Sequence, residues 1–423
     1  MHIGIIADDL TGASDIAGFV AAEGLSVIQF AGIPAHDSKY EADAAVVSLK
    51  SRSVPARQAV EQSLEALKWL QERNCRVFYF KYCSTFDSTP KGNIGPVTDA
   101  LMDALNTDFT VICPTLPENG RTVRDGNLYV NGVLLENTGM RRHPLNPMTD
   151  SYIPRLMEAQ AKGKAGVVDL ATVKSGADAV RKKCETLRKE GIRYAVTDCE
   201  TNGELDTIAS AMDNMPLLTG GSSLGAAVAR EFRRKGFGHE AGTDGGRFGT
   251  GRAVILSGSC SAMTNSQTGF YRRHAPEFRV EIERCLGNLD AYADEAAAWT
   301  LASPGDLAPM INATVPPDAL AVIQKRFGAE AAALAVEQFF ALLAKRLLAA
   351  GFDKFIVAGG ETSGSVSAAL GVTAFRIGTQ IAPGVSWVFD IDKTVALAMK
   401  SGNFGDETFF IKAQENMRKE LAL

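Results

Sequence analysis

Several short stretches of this chain place reactive side chains directly after an apolar run. Asp8-Asp9-Leu10-Thr11-Gly12 follows IGIIA. Ligands gather at the carboxyl ends of strands in open α/β sheets, and two carboxylates there can bind a metal, orient a hydroxyl or accept its proton. Adjacent side chains cannot point one way, so one of the pair can cap the next helix while the other does chemistry; Thr11 is a further capping candidate. Arg52, in SLKSRS, follows AAVVSL. A guanidinium at that position suits a bidentate carboxylate, and a plain surface arginine is the other reading. Lys81-Tyr82-Cys83-Ser84-Thr85 follows RVFYF. A cation beside hydroxyls fits a polyhydroxy acid, the lysine facing the carboxylate and the hydroxyls reading those of the ligand. Cys83 reads as a small packing residue, because no histidine stands near it in sequence to activate it. Arg121 closes PTLPENGR after TVIC, as a second anion clamp or as a loop brace.

Two turns stand out in the second half. Ser257-Gly258-Ser259-Cys260-Ser261 follows AVIL, and Gly359-Gly360-Glu361-Thr362-Ser363-Gly364 follows FIVA and opens a helix. Small residues between a strand and a helix N-terminus let backbone N–H groups approach a phosphate, and the helix dipole favours its charge. Two such turns suggest a nucleotide cradle, although neither a Walker A sequence nor G-x-G-x-x-G occurs. Gly402-Asn403-Phe404-Gly405 can close over a base or ribose, or be a plain turn. Gly221-Ser222-Ser223-Leu224-Gly225 matches G-x-S-x-G between a strand-like run and a helix, the setting of a nucleophile elbow. The acid and histidine that a hydrolase needs are not evident, since only His239 and His274 lie downstream. No His/Cys cluster has zinc-ligand spacing.

These stretches need elements to hold them. Short β-type runs at 3–7, 25–32, 44–49, 76–80 and 110–113 alternate with helical spacing, as in Ile16, Ala17 and Val20 or Val60, Leu64 and Leu67. GVVDL, a helix over 171–190, IRYAVTD, PLLT and a helix over 223–235 continue the rhythm. D-G and N-G pairs near 124–135 suggest a hairpin excursion. Residues 236–251 hold seven glycines in sixteen positions and read as a linker. Beyond it the alternation restarts with RAVILSGS, a long helix carrying Val336, Phe340, Leu343 and Leu347, and DKFIVAGG. The pattern predicts an α/β protein of two domains, each a mostly parallel sheet with flanking helices, and an active site in the cleft between them. The expected boundaries are 1–235, a linker at 236–251, and 252–423.

At 423 residues, a chain of this size is expected to form two or three domains. Its net charge of -5, without a Lys/Arg-rich run, argues against nucleic-acid binding. Seven widely spaced cysteines without a C-x-x-C pair read as reduced thiols of a cytoplasmic protein. The N-terminus lacks a signal-peptide h-region. Residues 331–350 carry Glu337, Gln338, Lys345 and Arg346 and read as an amphipathic helix, so no membrane role is expected.

Taken together and in order, ADDLTGASD (7–15), SLKSRS, KYCSTFDST (81–89), PENGRTVRDG (117–126), LSGSCS (256–261) and AGGETSG (358–364) resemble the four-carbon acid sugar kinase family across nearly the whole chain. KSGNFG at 400–405 looks most like the branch acting on 3-oxo-tetronates, rather than those acting on threonate or erythronate. The resemblance implies that the N-terminal domain binds the acid sugar and the C-terminal domain ATP, with Mg²⁺ held largely by phosphate oxygens. By carry-over, Asp9, Arg52, Lys81, Tyr82, Cys83 and Ser84 would contact the acid, and position adds Asp8 and Arg121. Ser259, Gly360, Glu361, Thr362, Ser363 and Gly402 or Asn403 would likewise contact ATP, and position adds Ser257 and Gly359. The resemblance implies the 4-phosphate as product; position assigns Arg52 and Lys81 to hold the carboxylate and Asp9 to orient or deprotonate the 4-hydroxyl. A serine hydrolase using Ser223 and a non-catalytic sensor of sugar acids are the competing readings. The sequence leaves monomer and homodimer open and names no metal ligand.

Overall fold

Strand-forming and helix-forming stretches alternate along most of the chain, and the architecture follows from that alternation. A computed structural model describes residues 1–35, 40–142, 146–238, 246–392 and 394–422. The chain divides into two units, Met1–Thr243 and Asp244–Leu423. Of the stretch expected as a linker, residues 239–245 lie outside the described residues, and His239 with them.

The first unit runs β1 (Ile3–Ala7), α1 (Leu10–Ala22), β2 (Val27–Ala31), β3 (Ala44–Ser48), α2 (Ala56–Gln71), β4 (Val77–Lys81), α3 (Ile94–Ala104), β5 (Thr110–Cys113), β6 (Arg121–Arg124), β7 (Asn127–Val130), β8 (Val133–Leu134), α4 (Ile153–Glu158), β9 (Lys164–Val168), α5 (Leu170–Lys174), α6 (Ala177–Lys189), β10 (Ile192–Thr197), α7 (Asn202–Ala211), β11 (Leu217–Gly220) and α8 (Ser222–Arg234). Its main sheet is ordered β2-β3-β1-β4-β11-β5-β10-β9, with every pairing parallel. β1, β3 and β4 are buried along their whole length, as parallel strands covered on both faces must be. From β1 the chain moves to one side of the sheet, and from β3 to the other. Right-handed crossovers therefore set α1 and α2 on opposite faces, where α1 packs with α8 and α2 with α3. That reversal beside β1 is the switch-point layout at whose strand ends ligands bind. α1 is apolar nearly all round, and Leu10 to Val20 are buried without a break.

The excursion near 124–135 is a separate antiparallel sheet, β6-β7-β8. The Asp198 carboxylate fixes its first turn by accepting the N–H groups of Asp125 and Gly126, each at 2.8 Å. The single helix expected over 171–190 is instead two, α5 and α6. They part at Ser175-Gly176, where the Ser175 N–H turns back onto the carbonyls of Ala171 and Thr172.

The second unit runs β12 (Arg252–Ser257), α9 (Ala262–Tyr271), β13 (Glu277–Arg279), α10 (Ile282–Leu286), α11 (Leu289–Ala302), β14 (Met310–Asn312), α12 (Pro317–Phe327), α13 (Ala329–Ala349), β15 (Phe352–Ala358), α14 (Gly360–Ala369), β16 (Ala374–Ala382), β17 (Val385–Asp390), β18 (Ala396–Lys400) and α15 (Phe409–Leu421). Strands β13-β14-β12-β15-β18 are parallel, and β17 and β16 continue the sheet antiparallel. α13 covers the amphipathic stretch at 331–350 and buries Phe339, Phe340, Leu343 and Leu347. Among the described residues no single helix is long and apolar enough to cross a membrane. Each unit is thus a mostly parallel sheet flanked by helices, as the alternation predicts.

Candidate active site

In the first unit the expected residues meet at the carboxyl ends of β3, β1, β4 and β11. β1 pairs with β3 so that Ala7 stands opposite Ser48, which sets Asp8 and Asp9 beside the segment leading to Arg52. Arg52 grips both. Its Nε and Nη2 donate to Asp8 Oδ2 and Oδ1 at 2.9 and 2.7 Å, and its Nη1 lies 2.9 Å from Asp9 Oδ2. Asp9 is also the N-cap of α1, accepting Gly12 N–H at 2.8 Å and the Thr11 hydroxyl at 3.1 Å. The two aspartates are pushed apart electrostatically. Burial raises the Asp8 carboxyl above its ordinary range despite the Arg52 charge. Burial acts the same way on Asp9, but the charges of Arg52 and Lys81 and the hydrogen bonds from Gly12 and Thr11 outweigh it, holding that carboxyl below its ordinary range.

Lys81 is the last residue of β4. It is buried, and its Nζ donates to the Tyr82 carbonyl at 2.8 Å. Its charge acts on both Asp9 and Asp15. Tyr82, expected among the ligand contacts, turns its side chain into the core. Its phenol shares a hydrogen bond with Thr219 at 3.0 Å, and its ring meets Phe80 and Phe86 edge-on. Strand alternation explains this, because residues 80 and 82 face opposite to 81. Cys83 Sγ lies 3.0 Å from the Thr85 hydroxyl, and Ser84 is buried. Arg121 opens β6 and donates to the Asn119 carbonyl, while its Nε is buried with no partner. Burial lowers the Arg121 guanidinium, against the opposing influence of Cys83 and Asp15. Cys83, Arg121 and Asp15 therefore share one neighbourhood.

Asp15 is the residue that sequence reasoning passed over. It lies two turns into α1, where a polar side chain on a buried face is the available signal. It is 3% exposed. Ser222 donates to its Oδ2, while its Oδ1 is buried with no hydrogen-bond partner. Burial raises its carboxyl to about 6, with Lys81 and the Ser222 hydroxyl pulling the other way. Ser223 donates to Glu118 Oε2 at 2.7 Å, and Asn202 holds the other oxygen at 2.8 Å. The serine of the G-x-S-x-G match is thus bonded to a carboxylate, and among the described residues no histidine is bonded to it.

In the second unit β12, β15 and β18 are adjacent, so their carboxyl-terminal turns lie side by side. Gly359 adopts φ 123° and ψ 134°, a conformation that a side chain would strain. It N-caps α14 without a side-chain hydrogen bond, which leaves the first N–H groups of α14, from Gly360 to Thr362, open to an acceptor. Thr362 and Ser363 are buried, Gly360 and Glu361 exposed, and the Ser363 hydroxyl has no partner. A Cβ on Gly402 would come within 2.6 Å of Ser259 Oγ, so the third turn packs against the first through glycine. Asn403 is exposed. Ser257 departs from expectation: its side chain is fully buried and its hydroxyl pairs with Thr314 at 2.7 Å. Among the described residues no group of three His, Cys, Asp or Glu side chains could hold a metal.

One unit thus gathers carboxylates and cations at a sheet edge, and the other sets three small-residue turns side by side. This is the outline of an enzyme that moves a phosphoryl group from a nucleotide to an anionic small molecule. Residues 3–228 match a sugar-binding N-terminal domain and residues 254–410 a nucleotide-binding C-terminal domain. The chain belongs to the four-carbon acid sugar kinase family and is an ATP-dependent kinase. It is similar to the 3-oxo-tetronate kinase of Brucella melitensis, 54% identical over 99% of this chain and 97% of that protein. It is also similar to that of Salmonella typhimurium, 52% identical over 99% of this chain and 100% of that protein. A solved structure from Salmonella typhimurium LT2 is 52% identical and covers 98% of this chain and 99% of its own, with a TM-score of 0.89. A Haemophilus influenzae structure is 51% identical over 98% of this chain and 100% of its own, with a TM-score of 0.79.

Proposed function

We propose that this kinase phosphorylates the terminal hydroxyl of a 3-oxo-tetronate, giving its 4-phosphate. The observation that carries the reading is the convergence of Arg52, Lys81 and Arg121 with Asp9 and Asp15 at one sheet edge. An anionic acid needs cations and a hydroxyl needs acceptors, and both are supplied there. The relatives named 3-oxo-tetronate kinase favour the oxo acid over threonate or erythronate.

Lys81 and Arg121 are the cations assigned to the carboxylate of the acid. Arg52 is already engaged by Asp8 and Asp9, so its part is to hold Asp9 in place; Asp9 orients the substrate. Asp9 is a poor proton acceptor because its charge is so well stabilised. Asp15 is the better one: its Oδ1 has unused bonding capacity, and its raised carboxyl suits proton transfer near neutral pH. The 4-oxygen forms its bond to the γ-phosphorus as the bond from that phosphorus to the β-bridging oxygen breaks. The hydroxyl proton goes to Asp15 and ADP leaves. Ser259, the N–H groups from Gly360 to Thr362, the Ser363 hydroxyl, and Gly402 or Asn403 are assigned to ATP. Mg²⁺, held on the phosphate oxygens of ATP, would neutralise charge there. Phosphoryl transfer asks mainly for positioning and charge stabilisation, so no covalent protein intermediate is needed. All seven cysteines are free thiols, which supports a cytoplasmic setting.

The test is coupled ADP release with Mg-ATP and a panel of four-carbon acids. Release with 3-oxo-tetronates alone is the expected result. Release with threonate or erythronate alone would overturn the substrate, and silence across the panel with ATP still bound would point to another acceptor. In the same assay Tyr82→Phe is expected to leave both KM values and kcat nearly unchanged while costing about 1 kcal/mol of stability in a thermal melt. A large rise in KM for the acid would return Tyr82 to the substrate contacts.

A further inference from the structure

Lys400 ends β18, and its side chain is fully buried (0% exposed). Among the described residues no carboxylate pairs with it. Its Nζ meets only neutral groups: the Gly402 carbonyl at 2.9 Å, the Thr264 hydroxyl at 3.0 Å and the face of the Phe409 ring at 6.0 Å. These come from the turn after β18, from α9 and from α15, and among the described residues no charged group on those elements, on β15 or β17, or on α14 with its Glu361, is paired with it. The Gly402 carbonyl also accepts the hydroxyls of Ser261 and Thr264 at 2.6 and 2.8 Å. Three donors thus converge on one carbonyl.

A trans peptide is planar, so a carbonyl held inward turns the next N–H outward. Here that is the N–H of Asn403, an exposed residue whose amide donates to no carbonyl among the described residues. The close approach of Gly402 to Ser259 places this peptide at the junction of the turns after β12 and β18, and Gly359 N–H is tied to the Lys400 carbonyl at 2.9 Å. The result is an outward amide backed by an unpaired buried ammonium, a combination that suits an anion.

We propose that Lys400, working through Thr264 and Ser261, is the positioning residue that presents the Gly402–Asn403 peptide to the polyphosphate of ATP, and that the bound phosphates supply its missing counter-charge. The inference rests on the reading that the second unit binds ATP. Burial brings the Lys400 ammonium down to about 7. The charged form, which ATP favours, is present below that point and lost above it. Bound ATP should therefore draw a proton back onto the protein at pH 8.

The test uses the full chain with Mg-ATP at pH 7 to 9. Lys400→Met is expected to weaken ATP binding by about 10- to 100-fold, the loss of a charged hydrogen-bond donor, with KM for the sugar acid unchanged and kcat at saturating ATP little altered. Thr264→Val should act in the same direction, and Thr264→Ser should restore binding. Titration calorimetry in buffers of different ionisation enthalpy should show proton uptake on ATP binding at pH 8 in the wild type, absent in Lys400→Met. A folded Lys400→Met that binds ATP like the wild type would overturn the proposal. If that variant does not fold, wild-type ATP binding without proton uptake, together with unaltered binding by Thr264→Val, overturns it equally. Failure of the wild type to bind ATP at all would sink the nucleotide reading itself, and this inference with it.

Discussion

Arg52→Met is expected to abolish turnover and to destabilise the first unit by about 3 kcal/mol. Asp8 is buried and takes both of its side-chain hydrogen bonds from Arg52. Removing the guanidinium strands that carboxylate with its charge already disfavoured by burial. The low end of the range for a broken buried pair applies because the Arg52 side chain keeps 22% exposure. Asp9 loses one partner but retains Gly12 and Thr11, so α1 should still start in the same place. The penalty should shrink in acid, where a protonated Asp8 needs no cation. Asp8→Asn in the same background should recover most of the stability and none of the activity, since Asp9 would remain without the group that holds it. Thermal melts from pH 5 to 8 and ADP release read the two effects separately. An Arg52→Met enzyme with unchanged KM and kcat would refute the role given to the Arg52 cluster.

The legible part of this molecule is what strand ends and local periodicity control. The runs before Asp8, Arg52, Lys81 and Ser257 are strands, and those residues stand at or just beyond their carboxyl ends, where ligands gather in open α/β sheets. Which way a side chain faces is less local. Tyr82 and Ser257 are correctly placed along the chain yet point into the core, since alternation beside a doubly covered sheet buries them. Arg52 illustrates a second limit. Sequence offers an anion clamp or a surface arginine, and the parallel register of β1 against β3 sets it between two aspartates, bidentate on Asp8. Asp15 and Lys400 go further. Asp15 acquires its meaning from Ser222, 207 positions away, and Lys400 from Thr264, 136 positions away. Asp15 sits in a buried helix and Lys400 ends a buried strand, and neither has a local side-chain partner to announce it.

Asp15→Asn is expected to make the protein more stable at pH 8 and a far worse catalyst. In the unfolded chain this carboxyl titrates near 3.8, and in the folded protein burial raises it to about 6. The folded state therefore holds the proton more tightly. Stability from this group is present below about pH 4 and is lost as pH rises through 6, leaving the folded protein above pH 6 with a desolvated charge that costs about 3 kcal/mol. Asparagine keeps a partner for the Ser222 hydroxyl and removes the charge. The variant should melt several degrees higher than the wild type at pH 8, and the advantage should vanish at pH 4, where both side chains are neutral. Wild-type kcat should fall as pH drops below about 6 and Asp15 takes up its proton. The variant should lose that limb and run about 10²- to 10⁴-fold slower throughout, the range for a positioned general base. Wild-type turnover in Asp15→Asn would show the buried carboxylate to be a structural fault with no catalytic use. Slower turnover without the gain in melting temperature would mean that its charge is better compensated than the unpartnered Oδ1 suggests. Both changes together would show stability given up at this position for a carboxylate that can accept a proton at neutral pH.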